Sequence, residues 1–121
     1  MQVDGFILNI TSEDPERLVA FYRDVLQLPL DPSVGEGAFR AGGAILIFDG
    51  HSETKGQAKE PHRYLIDFTV ANLAVEKARL EAAGARFVRE PGREYWGGLI
   101  STFLDPDGNY LQLIEMPKGE G

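Results

Sequence analysis

The 121-residue chain contains no cysteine, which excludes disulfides, thiolate metal ligands and a cysteine nucleophile and fits a reducing compartment. Histidine is nearly as scarce: its two copies, His51 and His62, share one polar stretch. A Ser-His-Asp triad has little to be built from. No apolar run reaches the roughly 20 residues of a membrane span. The first ten residues, MQVDGFILNI, lack the basic segment and long apolar core of a secretory leader. A cytoplasmic location without membrane contact is expected. Nor is there an excess of positive charge. Twelve Lys+Arg stand against nineteen Asp+Glu, a net charge of −7, with no basic cluster on any expected element. A nucleic acid would be repelled by most of such a surface. The glycine pairs Gly42-Gly43 and Gly97-Gly98 are turn residues, since a phosphate-binding loop needs another arrangement ahead of a helix.

What remains is a globular composition, 43% hydrophobic and 26% charged, on a chain long enough for one domain with a modest core. FILNI alternates, with Phe6, Leu8 and Ile10 on one face and Ile7, Asn9 and Thr11 on the other, the period of a strand. In TSEDPERLVAFYRDVLQLPL the period changes, and Leu18, Phe21, Tyr22, Val25 and Leu26 recur at helical spacing. Asp14 is placed as the cap and Pro15 as the first helical residue, with Pro29 as the stop. A Gly-rich stretch and a buried strand, Ala44 to Phe48, follow. Residues 50–63, GHSETKGQAKEPHR, form a polar connection of the length that is usually mobile or functional.

The pattern then starts again. YLIDFTV, Tyr64 to Val70, puts Ile66, Phe68 and Val70 on one face and Leu65, Asp67 and Thr69 on the other. NLAVEKARLEAAG predicts a helix capped by Asn72 and stopped by Gly84, its apolar surface made by Leu73, Val75, Ala78, Leu80 and Ala82. ARFV, GGLISTFL and YLQLIE are strands, with EPGREYWGGL a loop between the first two. In DPDGN, Pro106 suits the second position of a type I turn and Gly108 the positive φ after it. The chain is thus an α+β pattern run twice, its opening strands 58 residues apart from Ile7 to Leu65. One domain over 1–121 is expected, with modules at about 4–50 and 64–116. Each module's helix covers one face of its strands. The remaining mixed faces, set edge to edge, would enclose a cup.

Taken together, DPERLVAFYRDVLQLPL, LEAAGARFV and DPDGNYLQLIE resemble the vicinal oxygen chelate superfamily of glyoxalases, bleomycin-resistance proteins and dioxygenases. The resemblance implies two βαβββ modules around a cup, often with two chains sharing their sites, so a homodimer is expected. One departure is Gln27, where relatives commonly carry glycine after the first helix. The resemblance also implies a divalent metal held by one ligand from the first strand of each half and a Glu from the last strand. By position these map to Ile7, Leu65 and Gln112. Two aliphatic side chains and one neutral amide cannot hold such an ion, which needs several converging carboxylates or imidazoles. No metal and no other cofactor is expected.

The candidate ligand-binding residues are therefore Ile7, Asn9, Leu65, Asp67, Tyr110 and Gln112 in the cup, with Tyr95 and Trp96 at its rim. A mixed apolar and amide lining orients a small organic molecule through a few polar groups. Aromatic residues at a rim can stack on it. Binding without metal is the first expectation. The alternative is a glyoxalase-like lyase or isomerase acting on a small carbonyl compound, with unusual metal ligands or with Asp67 as base. A third reading is a half-site partner that functions only as a dimer.

Overall fold

The computed structural model describes residues 1–118. They fall into two compact units that meet inside the polar connection, one from Met1 to Gly56 and one from Gln57 onward. The fold is α+β, with one mixed sheet of three strands and one of four.

In the first unit, β1 (Phe6–Ser12) runs parallel to β3 (Ala44–Gly50), in register from Phe6 opposite Ala44 to Ser12 opposite Gly50. The short β2 (Phe39–Ala41) pairs antiparallel on the far side of β3. The module therefore has three strands where the βαβββ expectation requires four. An isolated antiparallel pair, Leu30 with Phe39, stands outside the strands. Pro32, Gly35 and Gly37 in the intervening segment disfavour a longer ladder. The helix α1 (Pro15–Ala20) begins as its sequence dictates, with Pro15 in the first turn and the Asp14 carboxylate accepting from the Arg17 N–H. Its apolar side, Leu18 and Tyr22, is buried with Phe39 and Leu46. The Tyr22 and Phe48 rings lie 4.6 Å apart, with Phe39 5.9 Å beyond Phe48.

The helix does not run on to Pro29. It widens into a π-helical turn, Phe21–Val25, in which Leu26 N–H reaches back to Phe21 O. Leu28 N–H then donates to Tyr22 O across Gln27, whose φ is 59°. A left-handed residue, not the proline, ends this helix. A side chain there strains the backbone by roughly 1–2 kcal/mol, partly offset by the greater unfolded-chain entropy of glycine. Gln27→Gly is accordingly expected to stabilise the protein by about 0.5–1 kcal/mol, read as a higher urea midpoint. A lower midpoint would contradict the assignment.

The second unit is a full βαβββ module: β4 (Ile66–Thr69), α2 (Leu73–Ala82), β5 (Arg86–Arg93), β6 (Leu99–Leu104) and β7 (Tyr110–Glu115). The sheet order is β4-β7-β6-β5, with β4 and β7 parallel and the other pairs antiparallel. Asn72 caps α2 by accepting from Val75 N–H, and the Glu115 carboxylate at the end of β7 takes the Leu73 N–H. Gly84, at φ 96°, lets Ala85 N–H turn back to Leu80 O, the closing bond of a Schellman end.

Three expectations in this unit need correction. Strand β4 is shorter than Tyr64 to Val70, and Tyr64 and Leu65 precede it. Strand β5 continues through Pro91 to Arg93, into the segment read as loop, because its pairing with β6 absorbs register shifts around Arg89. On α2 only Leu73 and Leu80 are buried, while Val75, Ala78 and Ala82 are exposed. Between the two buried leucines, Lys77 holds its ammonium 4.8 Å above the Phe87 ring, paired with Glu81 at 2.7 Å and Glu90 at 3.1 Å. A lysine stem thus covers apolar surface that the alanines do not.

Candidate functional site

Alternation along β7 puts Leu111 and Leu113 on the face shared with Phe103, where α2 packs, and Tyr110, Gln112 and Ile114 on the other. The hairpin turn decides which residues meet there. In 105–109 (DPDGN), the Asp105 carboxylate accepts from the Asp107 and Asn109 backbone N–H groups and from the Asn109 amide. Gly108 N–H closes on Asp105 O, and Gly108 has φ 80°. That turn fixes Leu104 opposite Tyr110, and two residues further on it fixes Thr102 opposite Gln112.

Across the second sheet, register aligns Asp67 of β4, Gln112 of β7 and Thr102 of β6 in one row. The Gln112 amide nitrogen donates to the Thr102 hydroxyl at 2.9 Å. Both residues are buried, at 8% and 4% exposure. Asp67 stands on β4, on the opposite side of β7 from Thr102. Asp67 is exposed, and among the described residues it has no hydrogen-bond or ion-pair partner. Partial loss of hydration raises its carboxyl pKa from the ordinary aspartate value, with no neighbouring charge among the causes to oppose the shift. Beside this row, the His62 ring lies 6.0 Å from Tyr110 in a tilted contact. His62 is carried by a short 3₁₀ turn, Pro61–Arg63, that leads into Leu65, itself 47% exposed.

The raised Asp67 pKa has a consequence for stability. Between the ordinary carboxylate pKa and the raised one, the folded chain binds more protons than the unfolded chain. Stability therefore falls as pH rises through that window and stays lower above it. Asp67→Asn is expected to exceed the native protein in stability at pH 7, by under about 1 kcal/mol because water still reaches the group. The advantage should vanish below about pH 4. Denaturant unfolding at both pH values measures it, and an advantage independent of pH would contradict the cause.

In the first unit, Ile7 and Asn9 lie on the face of β1 opposite Leu8 and Ile10, as alternation requires. Ile7 is 57% exposed. The Asn9 amide donates to Asp49 at 2.9 Å, and the Thr11 and Thr54 hydroxyls bond at 2.8 Å.

Tyr95 and Trp96 belong to the tight turn between β5 and β6, closed by Glu94 N–H to Gly98 O and Gly97 N–H to Glu94 O. Tyr95 is 99% exposed at the tip. The Trp96 ring lies over Gly98, where a Cβ would come within 1.9 Å of Cζ3. Since Leu99 pairs with Glu115, this turn lies at least three residues along the sheet from the Gln112 row, roughly 10 Å. The second unit thus gathers Leu65, Asp67, Tyr110 and Gln112, and leaves Tyr95 and Trp96 apart from them. Thr102 and His62 are additions. Thr102 was legible by counting back through the DPDGN hairpin, whereas nothing in the sequence placed His62 against Tyr110.

The sequence model of the Glyoxalase/Bleomycin resistance protein/Dioxygenase superfamily matches residues 6–113. No curated protein sequence matches significantly. Among solved structures, the fold is similar to a glyoxalase/bleomycin resistance protein/dioxygenase family enzyme from Burkholderia phytofirmans PsJN, with TM-score 0.73 and 22% identity over 91% of this chain and 96% of that one. A superfamily member from Sphaerobacter thermophilus gives 0.73 at 20% identity, covering 95% and 98%. A lactoylglutathione lyase from Agrobacterium tumefaciens gives 0.68 at 22%, covering 95% of each. At such identities the likeness is one of fold.

Proposed function

Since the chain belongs to the glyoxalase/bleomycin resistance protein/dioxygenase superfamily, we propose that it is a cytoplasmic, dimeric protein that holds a small organic molecule without a metal ion. The observation that carries this reading is the state of Gln112. At the position where the resemblance calls for a carboxylate ligand, a neutral amide is buried and already bonded to Thr102. The other two mapped positions, Ile7 and Leu65, have no donor atom. Among the described residues no three His, Asp or Glu side chains are grouped to hold a metal. These residues do not fit a divalent ion. The second unit offers an organic ligand exposed aliphatic surface at Leu65, ring surface at Tyr110 and polar atoms at Asp67 and Gln112, and the first unit separately carries Ile7 and Asn9 on one strand face. Tyr95 and Trp96 contribute only if the ligand extends to the β5–β6 turn.

Thermal unfolding tests this reading. A metal bound by the native state alone would stabilise it by about 2.7 kcal/mol at a hundredfold excess over its dissociation constant. Sub-millimolar Zn²⁺, Mn²⁺, Ni²⁺ or Mg²⁺ added to chelator-treated protein is expected to leave Tm unchanged. A rise of several degrees would overturn the proposal.

A second reading rests on Asp67. An unpaired carboxylate with a raised pKa is suited to general-base work, as a lyase or isomerase acting on an α-hydroxy carbonyl or its thiol adduct would require. It calls for turnover that collapses in Asp67→Asn.

A further inference from the structure

We propose that the face of the second sheet bearing Asp67 and Gln112 recognises a small, flat organic cation with paired N–H donors, of the amidine, guanidine or amino-heteroaromatic class. The inference rests on the metal-free binding reading and names the ligand class for the same face.

The Gln112 amide gives one N–H to the Thr102 hydroxyl and keeps its carbonyl oxygen, an acceptor, and a second N–H to offer a ligand. Its row neighbour Asp67 offers a carboxylate, which is acceptor-only when ionised, and no described residue occupies it. Neighbouring strands lie about 4.8 Å apart. The Asp67 carboxylate and the Gln112 carbonyl, carried on adjacent strands, can accept two N–H groups of one planar head. The Asp67 charge repels a carboxylate or a phosphate and gains nothing from a neutral carbonyl. The positive charge in this row is already spoken for: Arg89, opposite Thr102 on β5, has its guanidinium against Glu94 at 2.6 Å. On the other side of Gln112 along the strand, Tyr110 and His62 supply ring surface, against which a flat cation can lie. The net charge of −7 favours the approach of a cation over an anion.

A ligand of this class also explains why Asp67 stands unpaired. Asp67 has lost part of its hydration without gaining a partner, and a charge-assisted N–H donor would offset that loss on binding.

Benzamidine is the test probe, used with the whole chain in isothermal titration calorimetry. Benzamide serves as the neutral near-isostere and benzoate as the anion. Saturable benzamidine binding is expected, at least about tenfold tighter than benzamide, with no binding of benzoate. Asp67→Asn, which keeps the shape and removes the charge, should weaken benzamidine about tenfold or more and leave benzamide nearly unchanged. Amide chemical-shift changes should centre on Asp67, Tyr110 and Gln112. Absence of saturable benzamidine binding overturns the inference. So does equal binding of benzamide or benzoate, or benzamidine affinity unchanged in Asp67→Asn. If one of the neutral or anionic probes binds in the absence of metal, only the ligand class fails and the metal-free reading stands. A stoichiometric metal in the protein would remove that reading itself.

Discussion

Asp105→Ala is expected to cost about 3 kcal/mol of stability, lowering Tm by roughly 10 °C. Asp105 is buried at 5% exposure, and its carboxylate accepts three N–H groups within five residues of chain, at 2.9, 3.0 and 2.8 Å. Hydrogen bonds to a charged group contribute about 1.5–3 kcal/mol each, and members of one network do not add. Alanine would leave two backbone N–H groups and an amide without their acceptor. Asp105→Asn keeps one oxygen and should fall between the two, at about 1–2 kcal/mol. Urea unfolding with an unchanged m-value measures both. An Asp105→Ala midpoint equal to the native one would show that Pro106 and Gly108 alone set the turn. The effect reaches the candidate site, because this turn is what places Thr102 opposite Gln112. A slip of one residue would send Gln112 to the α2 face.

Gly98→Ala should be the next most damaging, at about 1–3 kcal/mol. A Cβ at Gly98 would fall 1.9 Å from Trp96 Cζ3 and 2.2 Å from Cη2, so the indole ring must leave its place. Trp96 is the sole tryptophan, and its fluorescence reports the change directly as a shift to the red on solvation. The double variant Trp96→Ala/Gly98→Ala removes the clash along with the ring. The cost of Gly98→Ala measured in that background should drop to a few tenths of a kcal/mol, about the limit of additivity for independent sites. An undiminished cost would mean that Gly98 is needed for its backbone and not for the ring above it. The result also bears on function: a Trp96 ring seated on its own turn is committed locally, which weakens its case as a ligand contact.

Much of this was legible in the chain because the signals were local. Asp14-Pro15 and Asn72 start their helices, Gly84 ends the second, and DPDGN makes its turn, each through bonds within a few residues. The same locality explains the errors. Pro29 was the obvious stop, but a π-helical turn and a left-handed Gln27 end the first helix earlier, and no composition rule marks a glutamine for that conformation. The β5 extension depends on its pairing with β6 and not on the propensities of Glu90 to Arg93. At the candidate site, alternation alone put Asp67 and Gln112 on a non-helix face. Their alignment with Thr102 required the register, and the contact between His62 and Tyr110 required the three-dimensional path of the connection. The missing fourth strand of the first module shows the limit of arguing from the repeat, since each half obeys its own sequence.

The central claim is that this fold holds its ligand without a metal, and the most direct measurement is the metal content of the protein. Elemental analysis of chain purified without chelators, across Mg, Mn, Fe, Co, Ni, Cu and Zn, is expected to find each far below one equivalent. One equivalent of any of them that survives dialysis, and falls away when Gln112 is replaced by leucine, would contradict the account.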